Sequence, residues 1–148
     1  ECVKISSGYV VGGNGSAANI LGVLNGIFFN AADTLKPTFS NFYKATITPA
    51  NSEDTTAFVI DNPFQQYVVA ADDATGVTTF LETYDMNSSA GSDTTGKSSS
   101  TLDIATTSAN GKQFRLLRSA EDPENEDATV ARHSVIVVSN LNSFNGHN

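Results

Sequence analysis

The sequence predicts a mostly β protein, folded as a single-domain antiparallel sandwich or barrel with long polar loops. Its 148 residues are the length of one domain. Short apolar runs follow one another closely and are separated by turn-forming residues, which is typical of all-β domains. No long helical pattern alternates with these runs, and this argues against a parallel α/β sheet. We therefore treat residues 1–148 as one β-rich domain.

Composition supports the same fold class. The chain contains 16 Ser, 16 Thr and 14 Asn, whereas charged residues make up only 16% of it. Helical bundles draw instead on Ala, Glu, Lys, Leu and Arg. The chain begins with Glu1 and not with Met, so we expect that a segment of the gene product precedes it.

The first elements are predicted to be strands. Residues 3–5 and 9–11 are short β-prone runs and predict a hairpin or two edge strands. In the apolar run 20–29, Gly22 and Gly26 disfavour a helix, because each costs about 1 kcal/mol relative to Ala. We expect a strand there, in which the two glycines mark bulges or close backbone approach.

The middle of the chain predicts strands joined by turns. Residues 38–48 alternate loosely between apolar and polar side chains. The run 56–60 predicts a short strand. The sequence Asp-Asn-Pro at 61–63 predicts a turn, because the residue before a proline avoids the helical region. Apolar runs at 67–71 and 77–81 continue the pattern.

Residues 85–100 are predicted to be the least structured part of the chain. They contain a single large apolar residue, Met86, and therefore bury too little surface to order on their own. We expect 86–100 to be a flexible loop, or an arm that orders against a neighbouring subunit. Further strands are expected at 101–105, 112–117 and 129–138, before a polar tail at 139–148.

The charge balance excludes two classes of partner. Eight Lys and Arg against 16 Asp and Glu give a net charge of −8. Nucleic acids and anionic membrane surfaces are bound by clustered basic residues. No apolar run approaches the length of about 20 residues that a transmembrane helix needs. We expect neither nucleic acid nor a membrane as a partner.

Few residues are available for catalysis. Cys2 is the only cysteine, so no disulfide forms within the chain, and we interpret it as incidental rather than as a reactive thiol. The only histidines are His133 and His147. Ser134, beside His133, would point to the opposite face of a strand, so the two cannot act as nucleophile and base. We expect His133 to be an ordinary surface or interface residue, whose replacement by Ala leaves assembly close to normal.

Motifs for cofactors and metals are incomplete. Residues 13–18 fit the GxGxxA pattern of dinucleotide-binding turns, but the βαβ context is missing. Cys and His are too few for a zinc site. A calcium-loop pattern that starts at Asp85 fails at Ala90 and at Gly96. The acidic loop 121–127 leaves calcium open as an alternative to simple turn capping. We predict no catalytic residues, no cofactor and no bound metal.

The aromatic residues are nine Phe and four Tyr, without Trp. Most of them are expected in the core. Phe42, Tyr43 and Phe64 adjoin turns, and exposed aromatic residues in such places mark interfaces. These three are the predicted interface residues. The alternative is that all three belong to the core.

Several segments together resemble a known family. They are LGVLNGIFF at 21–29, LKPTFSNFY at 35–43, TAFVIDNPFQQYVVAAD at 56–72, TTGKSSSTLD at 94–103, QFRLLR at 113–118 and VIVVSNLN at 135–142. In this order they are similar to small structural proteins encoded near the major capsid protein of tailed phages, particularly marine podovirus-like ones. Those proteins are regarded as capsid decoration or cement proteins. The resemblance covers residues 20–142, and none of its motifs is catalytic.

This resemblance implies a non-enzymatic virion protein on the outer surface of the capsid. It implies two partners: the major capsid protein, and further copies of the chain in a homo-oligomer, with a trimer favoured over a dimer. Cement proteins stabilise the shell by bridging its subunits, because a ligand that binds only the assembled state stabilises that state.

The alternative function is a β-sandwich carbohydrate- or receptor-binding module of a phage fibre or appendage. Such modules usually present Trp or Tyr platforms, so the lack of Trp weighs against this alternative. A hydrolase ranks third.

Overall fold

The computed structural model describes residues 1–13, 19–87, 89, 91–109 and 111–143. In this part, the chain forms two antiparallel sheets, which confirms the predicted fold class as a sandwich; the described residues form no closed barrel. The strands are β1 (Cys2–Ser6), β2 (Tyr9–Gly12), β3 (Gly22–Asn30), β4 (Pro37–Ser40), β5 (Thr56–Ile60), β6 (Gln66–Ala70), β7 (Thr83–Asn87), β8 (Thr101–Ser108), β9 (Phe114–Ser119) and β10 (Ser134–Ser139). Short 3₁₀ helices lie at Ala50–Ser52 and Val77–Thr79.

The first sheet is built around β3. One edge of β3 pairs with β1 at its start and with β4 at its end, and the other edge pairs with β5. β2 pairs with the outer side of β1 through a two-residue turn, so the predicted N-terminal hairpin is confirmed. β4 and β5 are therefore both outer strands of this sheet, on opposite sides of β3.

The second sheet has the strand order β6-β10-β9-β7-β8. It is bent so that its two edges meet at one point, where Ala71, next to β6, forms a parallel bridge with Leu102 of β8. The amide of Asp72 donates to the carbonyl of Leu102 at 3.0 Å. The Asp72 carboxylate accepts a hydrogen bond from the amide of Ile104 at 2.9 Å. The edges of this sheet therefore satisfy part of each other's hydrogen-bonding capacity.

The two glycines of β3 behave as the sequence predicts. The register between β3 and β5 shifts between Leu24 and Gly26, which is a bulge. A Cβ atom on Gly26 would lie 2.5 Å from Cζ of Phe39. A Cβ atom on Gly22 would collide with the carbonyl oxygen of Ile60. Any larger residue at either place would push neighbouring backbone or rings away.

Three expectations on local structure are wrong. The strand expected at 129–138 begins only at Ser134, as β10. Within 38–48, only the first residues are extended, because β4 ends at Ser40.

Residues 77–81 start as a 3₁₀ helix, Val77–Thr79, and not as a strand. Val77 is 81% exposed. Leu81 is exposed as well, and Phe80 is the one apolar residue of the run that packs against the buried cluster. Burial therefore gives little support for an extended segment at 77–81.

The largest error concerns the start of the segment predicted to be unstructured. Asp85, Met86 and Asn87 belong to β7, which lies between β8 and β9 in the second sheet. Asp85 is buried because its carboxylate accepts hydrogen bonds from the Lys112 ammonium at 2.9 Å and from the Gln113 amide at 3.4 Å. A polar sequence thus forms an interior strand because its polar side chains have partners there.

The remainder of the predicted loop has local hydrogen bonds in its described part. The Ser92 amide donates to the Lys97 carbonyl at 2.9 Å, and the Gly96 amide donates to the Ser92 carbonyl at 2.8 Å. Met86 and Asn87 pair with Leu102 and Thr101, so the loop is shorter than 86–100. That it is mobile in the free protein stays a prediction.

The core is formed mainly by the second sheet. Its buried cluster contains ten residues. Two of them, Cys2 from β1 and Ile20, come from the side of the first sheet. Tyr84, Leu102, Leu116, Val135 and Val137 are fully buried. Tyr67 packs edge-on against Phe114, with ring centroids 6.2 Å apart. The first sheet contributes little to this cluster.

Gln113 is the polar centre of the fold. Its side chain is fully buried; the amide oxygen accepts a hydrogen bond from the Met86 amide at 3.0 Å, and the amide nitrogen donates to the carbonyl of Gly13. The Gln113 carbonyl accepts from the amides of Asn140 and Leu141 at 2.8 and 3.2 Å. One residue therefore joins β7, the segment after β2 and the segment after β10.

We expect Gln113→Leu to lower the free energy of unfolding by about 3 kcal/mol. The replacement keeps the volume but leaves the buried Met86 N–H and Gly13 C=O without partners, and each such group costs about 1–3 kcal/mol. The measurement is urea unfolding of the isolated protein. Gln66→Leu is the matched control: Gln66 is exposed on β6, so its loss should change stability by no more than about 0.5 kcal/mol. Equal midpoints for the two variants would contradict the role assigned to Gln113.

Candidate interaction surface

The three predicted interface residues differ in exposure. Phe64 is 81% exposed and Tyr43 is 55% exposed, whereas Phe42 is half-buried. No ring contact joins the three in the described part of the chain. Tyr43 and Phe64 are available to a partner, and Phe42 already has contacts within the chain.

Phe42 packs on the turn that precedes β8. Its ring lies directly against Gly96, where a Cβ atom would overlap the ring edge. The ammonium of Lys44 lies 5.3 Å from the ring centroid, within the range of a cation–π contact. The Ser40 hydroxyl donates to the Phe42 carbonyl at 2.6 Å. Phe42 therefore holds two loops together, which is a structural role.

Phe64 is held outward by the predicted turn. The Asn62 side-chain oxygen accepts a hydrogen bond from the Phe64 amide at 3.0 Å. The Gln65 amide donates to the Asn62 carbonyl at 3.1 Å, and Pro63 occupies the second position, where proline pre-sets φ. This turn links β5 of the first sheet to β6 of the second. Phe64 is thus a large apolar side chain on a rigid, exposed support.

A second group of exposed aromatic residues was missed by the sequence analysis. We call Phe28, Phe39 and Phe58 the aromatic cluster; they are 38%, 61% and 45% exposed, respectively. Phe28 and Phe39 are directly opposite each other on β3 and β4. The rings of Phe39 and Phe58 are 5.9 Å apart and tilted by 47°. These three are exceptions to the expectation that most aromatic residues belong to the core.

The aromatic cluster continues the face of the first sheet that packs on the second sheet. Val23 and Ile60 are directly opposite each other and share this face with Phe58, because side chains two apart on a strand lie on one side. Val23 lines a cavity of about 320 Å³ together with Tyr67 and Met86 of the second sheet. The aromatic cluster lies further along the same face, where its rings remain exposed.

The signal in the sequence that could have located the cluster is Gly26. A glycine inside an apolar strand indicates close approach, and here the approaching group is the Phe39 ring, which crosses β3 at Gly26. Without the register, nothing shows that Phe28, Phe39 and Phe58 share one face. Hydrophobicity alone predicts that they are buried.

His133 is buried and structural, which corrects the expectation of a surface or interface residue. It is 0% exposed. Its Nδ1 lies 2.7 Å from the Val130 carbonyl and its Nε2 lies 2.7 Å from the Thr75 hydroxyl. Since a carbonyl only accepts, Nδ1 carries a proton; in the neutral imidazole, Nε2 then accepts from the Thr75 hydroxyl. Replacement of His133 by Ala would leave a hole and two unpaired groups, so it is not a silent change.

Other chemically active groups have structural partners. The Asp127 carboxylate accepts hydrogen bonds from the Thr129 amide at 3.0 Å and hydroxyl at 2.6 Å, and these bonds lower the pKa of Asp127. Asp122 accepts from the Glu124 amide at 3.2 Å. The acidic loop thus caps its own turns. Among the described residues, no three His, Cys, Asp or Glu side chains are grouped as metal ligands would be.

A polar groove of about 480 Å³ lies between the 3₁₀ helix Val77–Thr79 and the end of β8. Its lining is rich in hydroxyl groups, and Glu82 is the one carboxylate in it. The Tyr84 hydroxyl in its wall donates to the Thr79 carbonyl at 3.1 Å. Among the described residues that line the groove, no second acid or base accompanies Glu82. The part of the predicted dinucleotide pattern after Gly13, and His147, lie outside the described residues.

No helix in the described part of the chain is long and apolar enough to cross a membrane.

We expect Phe42→Ala to lower the melting temperature of the free protein and Phe64→Ala to leave it nearly unchanged. The Phe42→Ala variant loses the packing of a half-buried ring against Gly96 and Lys44, which we expect to lower the free energy of unfolding by about 2 kcal/mol. Phe64 loses only exposed surface, so the change is within about 0.5 kcal/mol. Tyr43→Ala should behave like Phe64→Ala. The measurement is thermal unfolding of the three variants side by side, and a large loss with Phe64→Ala would show that its ring is packed.

We expect the Cys2 thiol to be unreactive in the folded protein. Cys2 is 2% exposed, and burial raises its pKa to about 11. At about pH 8, an aromatic disulfide reagent should react with it at least about a hundredfold more slowly than in the urea-unfolded chain. Because the folded chain holds this proton more tightly, the stability that this group contributes is full below about pH 9 and falls as the pH rises towards 11. Similar labelling rates in the two states would contradict the burial.

Comparison with known proteins identifies no relative. No family model, curated protein or solved structure matches the chain. The function is therefore inferred from the sequence resemblance and from the surfaces described above.

Proposed function

We propose that the chain is a non-enzymatic virion protein that decorates and stabilises the outer surface of a tailed-phage capsid. In this role it bridges subunits of the major capsid protein and forms homo-oligomers, with a trimer favoured over a dimer. The resemblance of residues 20–142 to phage decoration proteins leads to this proposal. The observation that supports it best is the exposure of large apolar residues on rigid β-structure.

The exposed apolar residues support a binding role. Phe39, Tyr43, Phe58 and Phe64 are each between 45% and 81% exposed. Aromatic residues of this kind dominate the binding energy of protein interfaces. Phe39 and Phe58 lie on strands and Phe64 lies on a hydrogen-bonded turn, and these positions limit the entropy that is lost on binding.

Apolar burial rather than charge is expected to hold the chain on its partner. The net charge of −8 would attract a basic shell, but such attraction between exposed charges is screened beyond about 8 Å at physiological ionic strength. Burial of aromatic rings is not screened. Symmetric copies on a shell multiply a modest affinity per site.

We expect the chain to remain on purified particles in about 0.5 M salt and to be lost when Phe64 or Tyr43 is replaced by Ala. Truncation of an interface anchor typically costs about 2 kcal/mol or more. The measurement is the copy number per particle, determined by quantitative mass spectrometry after a salt wash. Val77→Ala is the matched control, because Val77 is as exposed as Phe64 and lies on a different element.

Two outcomes would contradict this binding mode. Release of the wild-type chain by moderate salt alone would show that charge holds it. Full occupancy by both Phe64→Ala and Tyr43→Ala would show that neither residue is an anchor. Melting temperatures of the free variants, measured in parallel, separate a lost contact from a lost fold.

The copy number also separates the proposal from its alternative. Decoration of the shell requires hundreds of copies per particle, whereas a receptor-binding module of a fibre or appendage is present in only a few. The aromatic cluster favours this second function to some degree, since exposed rings on a sheet face also stack on sugars. A copy number of only a few per particle would contradict the capsid proposal and favour the receptor-binding module of a fibre or appendage.

A further inference from the structure

The outer edge of β5 differs from the other strand edges. Among the described residues, the backbone of 56–59 has no hydrogen-bonded partner other than β3. Only alternate residues of an antiparallel edge strand bond to their one neighbour, so the others present N–H and C=O groups outward. β5 therefore offers a row of backbone groups that an extended segment could pair with.

The first sheet has two other outer strands, β2 and β4, and both are shorter than β5, with four residues each. β4 has only four residues and starts with Pro37, which blocks pairing at an edge. The edges of the second sheet meet at Ala71 and Leu102. β5, with the sequence TAFVI, contains no proline, no charge and no bulge of its own. An uncharged, β-prone open edge of this kind is a template for strand addition.

Acidic residues lie at both ends of this edge. Glu53 and Asp54 precede β5, and Asp61 follows it; all three are exposed. The Glu53 carboxylate accepts a hydrogen bond from Asn30 at 3.2 Å, which holds it at the end of the sheet. A strand added along β5 would therefore have an acidic group near each of its own ends.

These acidic residues favour a partner segment with basic ends over a second copy of the chain as the occupant of this edge. If two copies of β5 paired in antiparallel fashion with Phe58 opposite Phe58, Asp61 of one copy would face Thr55 of the other, at both ends. Asp61 would then lie next to Asp54 and diagonally across from Glu53 on the same face. If they paired in parallel, each Asp would lie beside its own copy. Like charges on facing strands are destabilising. A segment with basic residues at both ends would instead complement the edge.

We propose that β5 is a strand-addition site for an extended segment of a partner protein that has an uncharged, alternating centre and basic residues at both ends. One face of the added strand would extend the aromatic cluster, because Phe58 lies on β5 next to Phe39. Main-chain hydrogen bonds supply the affinity, and the flanking charges supply the direction and the choice of partner. The identity of the partner as a capsid subunit rests on the proposed function; the site does not.

The test uses the isolated protein and two synthetic peptides. Both have alternating Val and Thr in the centre; one has a pair of Lys at each end and the other a pair of Glu. Amide exchange is followed residue by residue by NMR. We expect the Lys peptide to slow exchange at alternate residues of Thr56–Ile60 and to bind at least about tenfold more tightly than the Glu peptide, as several exposed ion pairs allow.

A charge-reversal variant sharpens the test. Asp54→Lys combined with Asp61→Lys changes two exposed side chains and no backbone contact of β5, so the fold is retained. In this variant the order of the two peptides should reverse. Phe58→Thr is a second variant, which keeps the strand and should weaken both peptides equally.

Three results would overturn the inference. They are equal binding of the two peptides, binding without slower exchange in β5, and protection of β5 that grows with protein concentration in the absence of peptide. The last would make a second copy the occupant. None of these results depends on phage particles, so they are separate from a failure to find the chain on capsids, which would count against the proposed function alone.

Discussion

The buried amide of Gln113 is the contact on which the rest of the structure depends. It binds the backbone of β7 on one side and the segment after β2 on the other, while its own carbonyl binds the chain after β10. The pair formed by Asp85 and Lys112 lies beside it. This polar group fixes the two sheets relative to each other, because an amide in an apolar core has few alternatives that satisfy all its hydrogen bonds.

The two sheets therefore contribute differently to the stability of the fold. The second sheet carries nearly all of the buried cluster, so it supplies the stability. The first sheet is attached to it through Cys2 and Ile20 and through the Tyr67 hydroxyl, which donates to the Ile60 carbonyl at 3.3 Å. Its far end carries the aromatic cluster and an open edge. Substitutions at that end are therefore expected to have little effect on the core.

The sequence predicts those elements that are determined by residues close together in the chain. The hairpin, the strands β3, β5 and β10, the turn at Pro63 and the special role of Gly22 and Gly26 follow from alternation and turn chemistry. The strand β7 could not be predicted in this way, because Asp85 is buried only by virtue of Lys112 and Gln113, which are distant in sequence. The same holds for His133 and Thr75. The aromatic cluster depends on register across three strands, and Tyr43 and Phe64 were found only because turns adjoin them.

The turn that carries Phe64 joins consecutive strands that belong to different sheets. A load applied to Phe64 along the strands therefore reaches β5 and β6 at the same time. In an antiparallel ladder the hydrogen bonds lie across the strand direction, so all of them resist such a load together rather than opening one after another. Phe64 is thus placed where mechanical resistance is shared by both sheets.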